Sequence, residues 1–477
     1  MRMLLKPEWL YCLLATLIIV LLLFTGDFIG VADNGDFLRI MGSIGLNYYN
    51  EFESYEERFF NYAHALFAYD SFFRGFYVTS QLLIVLFARS IAFIFHSEYF
   101  DIRVLGALYS LLLITASCLL ITFFKKRGIL VTVALITILL LVFHDVGYLA
   151  YFNSLYGEPV SFIFMLLTLA FGLTILRRET PSKRLLLLFV LACLFLVCSK
   201  TQNAPLGLLF SLVCLRFAAL HKDNLPWKRL AITCSAALVV IAAGMYLLAP
   251  KDFKQINLYQ TVFFGILHSS DTVQEDLQEL GLPAHLEGLA GTNYFQSDTV
   301  IKQDDPRLQA DFYERISHMD VLLFYMKHPD RLLERMSYAA EHSMNIRPYY
   351  LGTYELAAGK PAGSVTEQYS WWSQFKRTVL PNEFSFIMIV YLLYYGVLLY
   401  EWRRRDSIFS RIALELFGVI GLIGAFGFLI PIVGDGLADL SKHLFMFNVV
   451  FDMMLVAIVV WLAYKARLAL QGYRKHN

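Results

Sequence analysis

Uninterrupted apolar runs dominate this chain, in place of the apolar–polar alternation of a strand or a surface helix. Windows at 9–25, 77–95, 103–124, 129–146, 159–176, 185–199, 203–220, 230–249, 384–401, 411–431 and 446–465 are each rich in Leu, Ile, Val and Phe. Crossing a bilayer as a helix takes roughly 20 such residues. Continuous runs favour helices over barrel strands, whose signal is a weak alternation. The expected fold class is an all-α polytopic membrane protein, a bundle of about 10–12 transmembrane helices.

The windows divide the chain into three blocks. Residues 1–249 form a membrane module with one sizeable outside loop at about 26–76. Residues 250–383 are a polar outside region, and 384–477 add three spans and a basic tail. In the first loop, Asn34-Gly35 signals a turn, and Asp36 stands where an N-cap would open a short amphipathic helix at 37–46. Beyond it, aromatics including Phe52, Tyr55, Phe60, Phe73 and Phe76 interleave with Glu51, Glu53, Glu56 and Glu57, a composition suited to the headgroup interface. In the polar block, helical periodicity at 274–280, 310–326 and 331–342 reads as a small helical lid.

Composition fixes the environment. A hydrophobic share of 58% and a mean hydropathy of +0.55 over 477 residues exclude a soluble domain. Basic clusters occupy the short linkers: Lys125-Lys126-Arg127, Arg177-Arg178, Lys183-Arg184, Lys228-Arg229 and Arg403-Arg404-Arg405. Arg2 and Lys6 precede the first window, and Lys465, Arg467, Arg474 and Lys475 follow the last. The positive-inside rule puts all of these, and both termini, in the cytoplasm. They are linkers, not a nucleic-acid surface. The loops 26–76, 153–159, 199–205, 250–383 and 434–443 then lie outside. Two cytoplasmic ends require an even number of crossings, yet eleven windows are present. The conflict lies between 26 and 125: either 59–76 also dips into the membrane, or 77–95 is not a full span. All six cysteines fall in or against the windows, which argues against a disulfide framework or a thiolate metal site. Residues 1–25 read as a retained helix, since no small-residue cleavage site follows.

The conspicuous ionisable groups of the outer loops sit at the edges of the windows. Groups at that depth are costly, so they are expected to converge on one outward-facing cavity. Asp33 precedes the Asn-Gly turn, has no capping task, and is the first candidate base; Asp36 is the second. An unactivated hydroxyl attacks poorly until a positioned carboxylate takes its proton. A divalent cation shared by Asp33 and Asp36 is the single metal site the pattern allows. Lys200 ends one window, and a buried ammonium needs an anion, a role a phosphate would fill. Lys442, His443 and Arg39 are candidates for the same task. Asp435, Asp439 and Lys442 are spaced to share one helix face, and with Glu158 and Asn153 they would line the cavity. There is no P-loop, no dinucleotide fingerprint, no H-E-x-x-H and no G-x-S-x-G elbow.

Several segments resemble the bacterial glycan-biosynthesis hexose transferases called WsfD-like, along nearly the whole chain. They are Ala32-Asp33-Asn34-Gly35-Asp36-Phe37, Tyr151-Phe152-Asn153-Ser154-Leu155-Tyr156-Gly157-Glu158-Pro159, Ser199-Lys200-Thr201-Gln202-Asn203, Leu289-Ala290-Gly291-Thr292-Asn293-Tyr294 and Lys442-His443-Leu444-Phe445. The topology, with acidic residues in the first outside loop, is similar to the GT-C class of glycosyltransferases. The resemblance implies an inverting transfer of a hexose from a polyprenyl-monophosphate sugar to an outward-facing glycan or glycolipid. It also implies an Asp base in the first outside loop, Asp33 or else Asp36. The competing class is a transporter or flippase for a lipid-linked saccharide, with the acidic cavity as a cation-coupled site. Against it stand the polar mass gathered on one side and the lack of visible repeats. A ligase or polymerase taking diphosphate-linked glycans is the third reading.

Overall fold

The computed structural model describes residues 6–75 and 77–476, with side chains through Gln471. Arg2, Phe76 and the side chains of Arg474 and Lys475, on which expectations fell, lie outside the described residues. Each apolar window contains a helix: Pro7–Leu23, Gln81–Phe95, Arg103–Phe124, Ile129–Phe143, Glu158–Leu176, Lys183–Val197, Leu206–Ala218, Leu225–Leu247, Phe384–Arg403, Ile408–Asp435 and Phe445–His476. Among the described residues, six helices are long and apolar enough to cross a membrane. Ile129–Phe143, continued through a 59° bend by Val146–Asn153, makes a seventh. Their inward faces merge into one core that includes Tyr11, Leu113, Phe162 and Val449. Leu13, Leu111, Leu212 and Leu392 are exposed on the outward faces, as lipid-facing residues are. The fold is that of an all-α polytopic membrane protein.

Among the described residues, five short strands decorate one end of the bundle. β1 (Ile29–Val31) pairs antiparallel with β5 (Leu351–Tyr354), which ties the polar block to the exit of the first helix. β2 (Leu46–Tyr48), β3 (Leu66–Tyr69) and β4 (Tyr99–Asp101) form an antiparallel sheet in that order. The aromatic loop supplies two strands of that sheet and one helical turn at Tyr55–Arg58, opened by a Ser54–Glu57 capping box. In the polar block, the periodicity at 310–326 resolves into a π-helical turn at Gln309–Tyr313 and a separate helix, His318–Lys327. That block carries its own apolar cluster around Phe263, Phe312 and Phe324.

The odd count of windows has a structural answer. The helix Gln81–Phe95 begins and ends on the same face. Before it, the Ser80 N–H donates to the Cys198 carbonyl (2.9 Å); after it, β4 rejoins the sheet and the Ile102 N–H donates to the Ala65 carbonyl (3.0 Å). Leu83, Phe87, Ile94 and Phe95 are exposed along it, the pattern of a helix lying in an interface. Setting it aside leaves ten of those helices among the described residues, an even number. Glu8 beside Lys125, Arg216 beside Glu415, and Lys465 beside Glu401 gather at one face. The segments carrying Asp36, Glu158, Lys200 and Lys442 gather at the other.

Candidate functional site

At that second face the helix ends surround a cavity of about 960 Å³. Asp36, Arg39, Glu158, Lys200, Asp435, Asp439, Lys442 and His443 all line it, so eight of the predicted site residues converge although up to 407 positions separate them. Its other wall is apolar: Leu208, Val239, Ala242, Ala243 and Pro431 come from the helices Leu206–Ala218, Leu225–Leu247 and Ile408–Asp435. Leu208, Val239 and Tyr246 on this side of the cavity are exposed.

The two aspartates are placed differently from expectation: Asp33, not Asp36, bonds the start of the helix. Gly35 adopts φ +99°, a conformation that favours glycine, and it turns the chain back over Asp33. Asp33 Oδ1 then accepts from the Gly35 N–H (2.7 Å) and the Phe37 N–H (3.1 Å), while Tyr48 donates its hydroxyl to Oδ2. The helix Phe37–Ile44 is thus held at its start by Asp33, whereas Asp36 makes no capping bond. Asp33 is fully buried and does not line the cavity. Burial pushes its carboxyl above the ordinary range, partly offset by Tyr48.

Asp36 faces the cavity. Its carboxylate contacts Lys442 and lies 3.1 Å from Arg39. Burial alone would raise its pKa, but Lys442 and Arg39 hold it well below the usual carboxylate range. Lys442 is 2% exposed and sits 4.5 Å over the Tyr156 ring. Burial disfavours its ammonium, yet Asp36, Glu158 and Asp439 around it raise its pKa. Arg39 lies over the Phe253 ring at 4.6 Å.

Glu158 opens its helix directly after Gly157. A Cβ there would stand 3.1 Å from the Ser199 carbonyl and 3.5 Å from Lys200 Cγ, so glycine lets the two segments touch. Lys200 reaches across to Glu158, which is fully buried; the second Glu158 oxygen has no partner among the described residues. Gln81, from the surface helix, donates to the Leu155 (2.6 Å) and Tyr156 (2.7 Å) carbonyls and fixes the same turn.

Asp435, Asp439 and Lys442 do not share a helix face. The spanning helix stops at Asp435, Gly436 breaks it, and Asp439 takes a left-handed conformation (φ 39°) before the short turn Leu440–His443. His443 pairs with Asp435 (2.8 Å), and Asp439 accepts from Tyr350 and from Asn34 Nδ2 (3.3 Å). Asn153 is also corrected. It is buried away from the cavity, donating to the Leu23 (3.2 Å) and Ile29 (2.9 Å) carbonyls, and so clasps the end of the first helix to β1. A cation between Asp33 and Asp36 does not fit, because Asp33 is spent on N–H and O–H donors and Asp36 faces an ammonium and a guanidinium. No group of three or more His, Cys, Asp or Glu is arranged for a metal among the described residues.

Tyr156 and Tyr350 carry no separate signal in the sequence, although Tyr156 lies inside the run Tyr151–Pro159. The Tyr156 hydroxyl accepts from the Asn34 N–H (2.9 Å) and contacts the Ala32 carbonyl (2.9 Å), so it fixes the Asp-Asn-Gly-Asp turn under Lys442. No curated protein and no solved structure matches the chain. A family model described as the YfdI N-terminal transmembrane domain matches residues 1–477, and the chain belongs to that family of membrane domains.

Proposed function

We propose that the chain is a GT-C-type glycosyltransferase that moves a hexose from a polyprenyl-monophosphate sugar to an outward-facing glycan or glycolipid, with Asp36 as base. The carrying observation is a single cavity that joins a carboxylate held by cations to an apolar groove between spanning helices. The groove suits a polyprenyl chain, and Lys442, Arg39 and Lys200 suit its phosphate. On this reading, the acceptor hydroxyl oxygen attacks the anomeric carbon and its proton passes to Asp36. The anomeric C–O bond breaks with its electron pair going to the phosphate oxygen, and polyprenyl monophosphate leaves with inversion at carbon. Lys442 and Arg39, already in place, meet the charge that grows on that oxygen. By the positive-inside rule the cavity faces outward and both termini are cytoplasmic.

The test is reconstitution in nanodiscs with polyprenyl-monophosphate hexoses and candidate glycans, reading released polyprenyl monophosphate by mass spectrometry. Asp36→Asn should lower release about a thousandfold, the range of a lost general base. Asp33→Asn should keep turnover per folded molecule while lowering the thermal midpoint, because it disturbs the bonds that hold the turn. Full turnover by Asp36→Asn would remove it as base. In sealed vesicles, donor that crosses the bilayer unconsumed would point to the transporter instead.

A further inference from the structure

Among the described residues, five non-glycine positions carry positive φ, and two of them, Phe60 (φ 66°) and Asp439, stand at this cavity. Bulky residues avoid that region, and where it persists the surroundings enforce it, often at functional sites. Phe60 is held by its N–H donating to the Asp33 carbonyl (2.8 Å). Its ring stacks on Tyr349, with centroids 6.2 Å apart at 18°, and meets Tyr350 edge-on at 6.1 Å. Tyr349 is 69% exposed and Tyr55 is 71% exposed, and both line the cavity. At the base of this aromatic group, Tyr350 donates to Asp439, which also receives Asn34.

Exposed rings often mark membrane anchors, and Phe52 and Phe73 on the same loop, more exposed still and outside the cavity lining, fit that description. Tyr55, Phe60 and Tyr349 differ from them. They border the cavity, and hydrogen-bonding oxygens lie at their foot. Flat faces above polar acceptors match a pyranose, whose C–H face is apolar and polarised positive and whose edge carries hydroxyl donors. The spanning-helix groove accounts for the donor's lipid, so this loop-built rim remains for the second substrate.

We propose that Tyr55, Phe60 and Tyr349 form the docking platform for the acceptor saccharide, with Asp439 and Asn34 receiving its hydroxyls. The assignment rests on the transferase reading above. The carboxylate at its base selects neutral or amino sugars over uronic acids.

The probes are soluble di- to tetrasaccharides of hexoses and N-acetylhexosamines, titrated against the nanodisc protein by saturation-transfer-difference NMR, with farnesyl phosphate binding measured in parallel. At least one neutral saccharide should receive saturation on its ring C–H protons. Tyr349→Ala and Tyr55→Ala should each weaken that binding about tenfold and leave farnesyl phosphate affinity and the thermal midpoint unchanged, while Tyr349→Trp should retain it. If farnesyl phosphate fails to bind the parent protein, the transferase reading itself falls. If it binds but no saccharide does, or if saccharide binding ignores both alanine variants, the platform is overturned and the rim is an interfacial anchor.

Discussion

Asp33 and Asp36 are three residues apart, yet one carboxylate is consumed by local donors and the other is balanced by distant cations. The pair was legible in sequence as acidic groups at a helix mouth; the division of labour was not. It depends on the Gly35 turn bringing two N–H groups onto Asp33 and on Tyr48 arriving from β2. Lys442, 406 residues away, then reaches Asp36. This geometry has a signature in pH. In the free protein burial opposes ionisation of Asp36, but Lys442 and Arg39 win and its pKa is low. A bound phosphate shares those cations, loosens their hold, and lets the carboxyl become a better base. The acid limb of kcat, which reports the complex, should therefore lie at higher pH than that of kcat/KM, which reports the free protein. Lys442→Met should move the kcat/KM limb upward, because burial is then opposed by Arg39 with less help. pH–rate profiles of both forms check this; coincident limbs would count against Asp36.

At the scale of elements, the spanning helices were readable because unbroken apolar runs have few other stable solutions in lipid. Hydropathy could not distinguish a helix that crosses from one that lies flat, so the parity conflict left 77–95 and 59–76 as alternatives. Polar fastenings between elements were also hidden. Asp452 stands out in sequence as a carboxylate in an apolar run, but its partners come from elsewhere. Lys376, on the helix Trp371–Val379 of the polar block, lies 2.7 Å from one oxygen; Trp372 Nε1 (2.8 Å) and the Tyr148 hydroxyl donate to the other. All of these groups are buried, so the bridge locks the polar block onto the last helix. Lys376→Met strands a buried charge and should cost about 3–5 kcal/mol of stability. Adding Asp452→Leu should recover most of that loss, as thermal or chemical unfolding of the three proteins would show. No recovery would mean that packing, not charge, dominates there.

For the whole molecule, the described helices place the Glu8–Lys125 and Glu401–Lys465 pairs at one face and the cavity at the other. Cysteines introduced at Phe52, Glu98 and Lys126 and probed with an impermeant maleimide on intact cells would check it. Phe52→Cys and Glu98→Cys should react from outside, and Lys126→Cys only after permeabilisation. Glu98→Cys behaving like Lys126→Cys would mean that Gln81–Phe95 crosses after all. The exposed apolar wall at Leu208, Val239 and Tyr246 has its own consequence. A ligand that enters through it is searched for in two dimensions, so its effective concentration is a number per unit area of bilayer. Fusing in empty lipid would then slow encounter while every molar concentration in the tube stays the same.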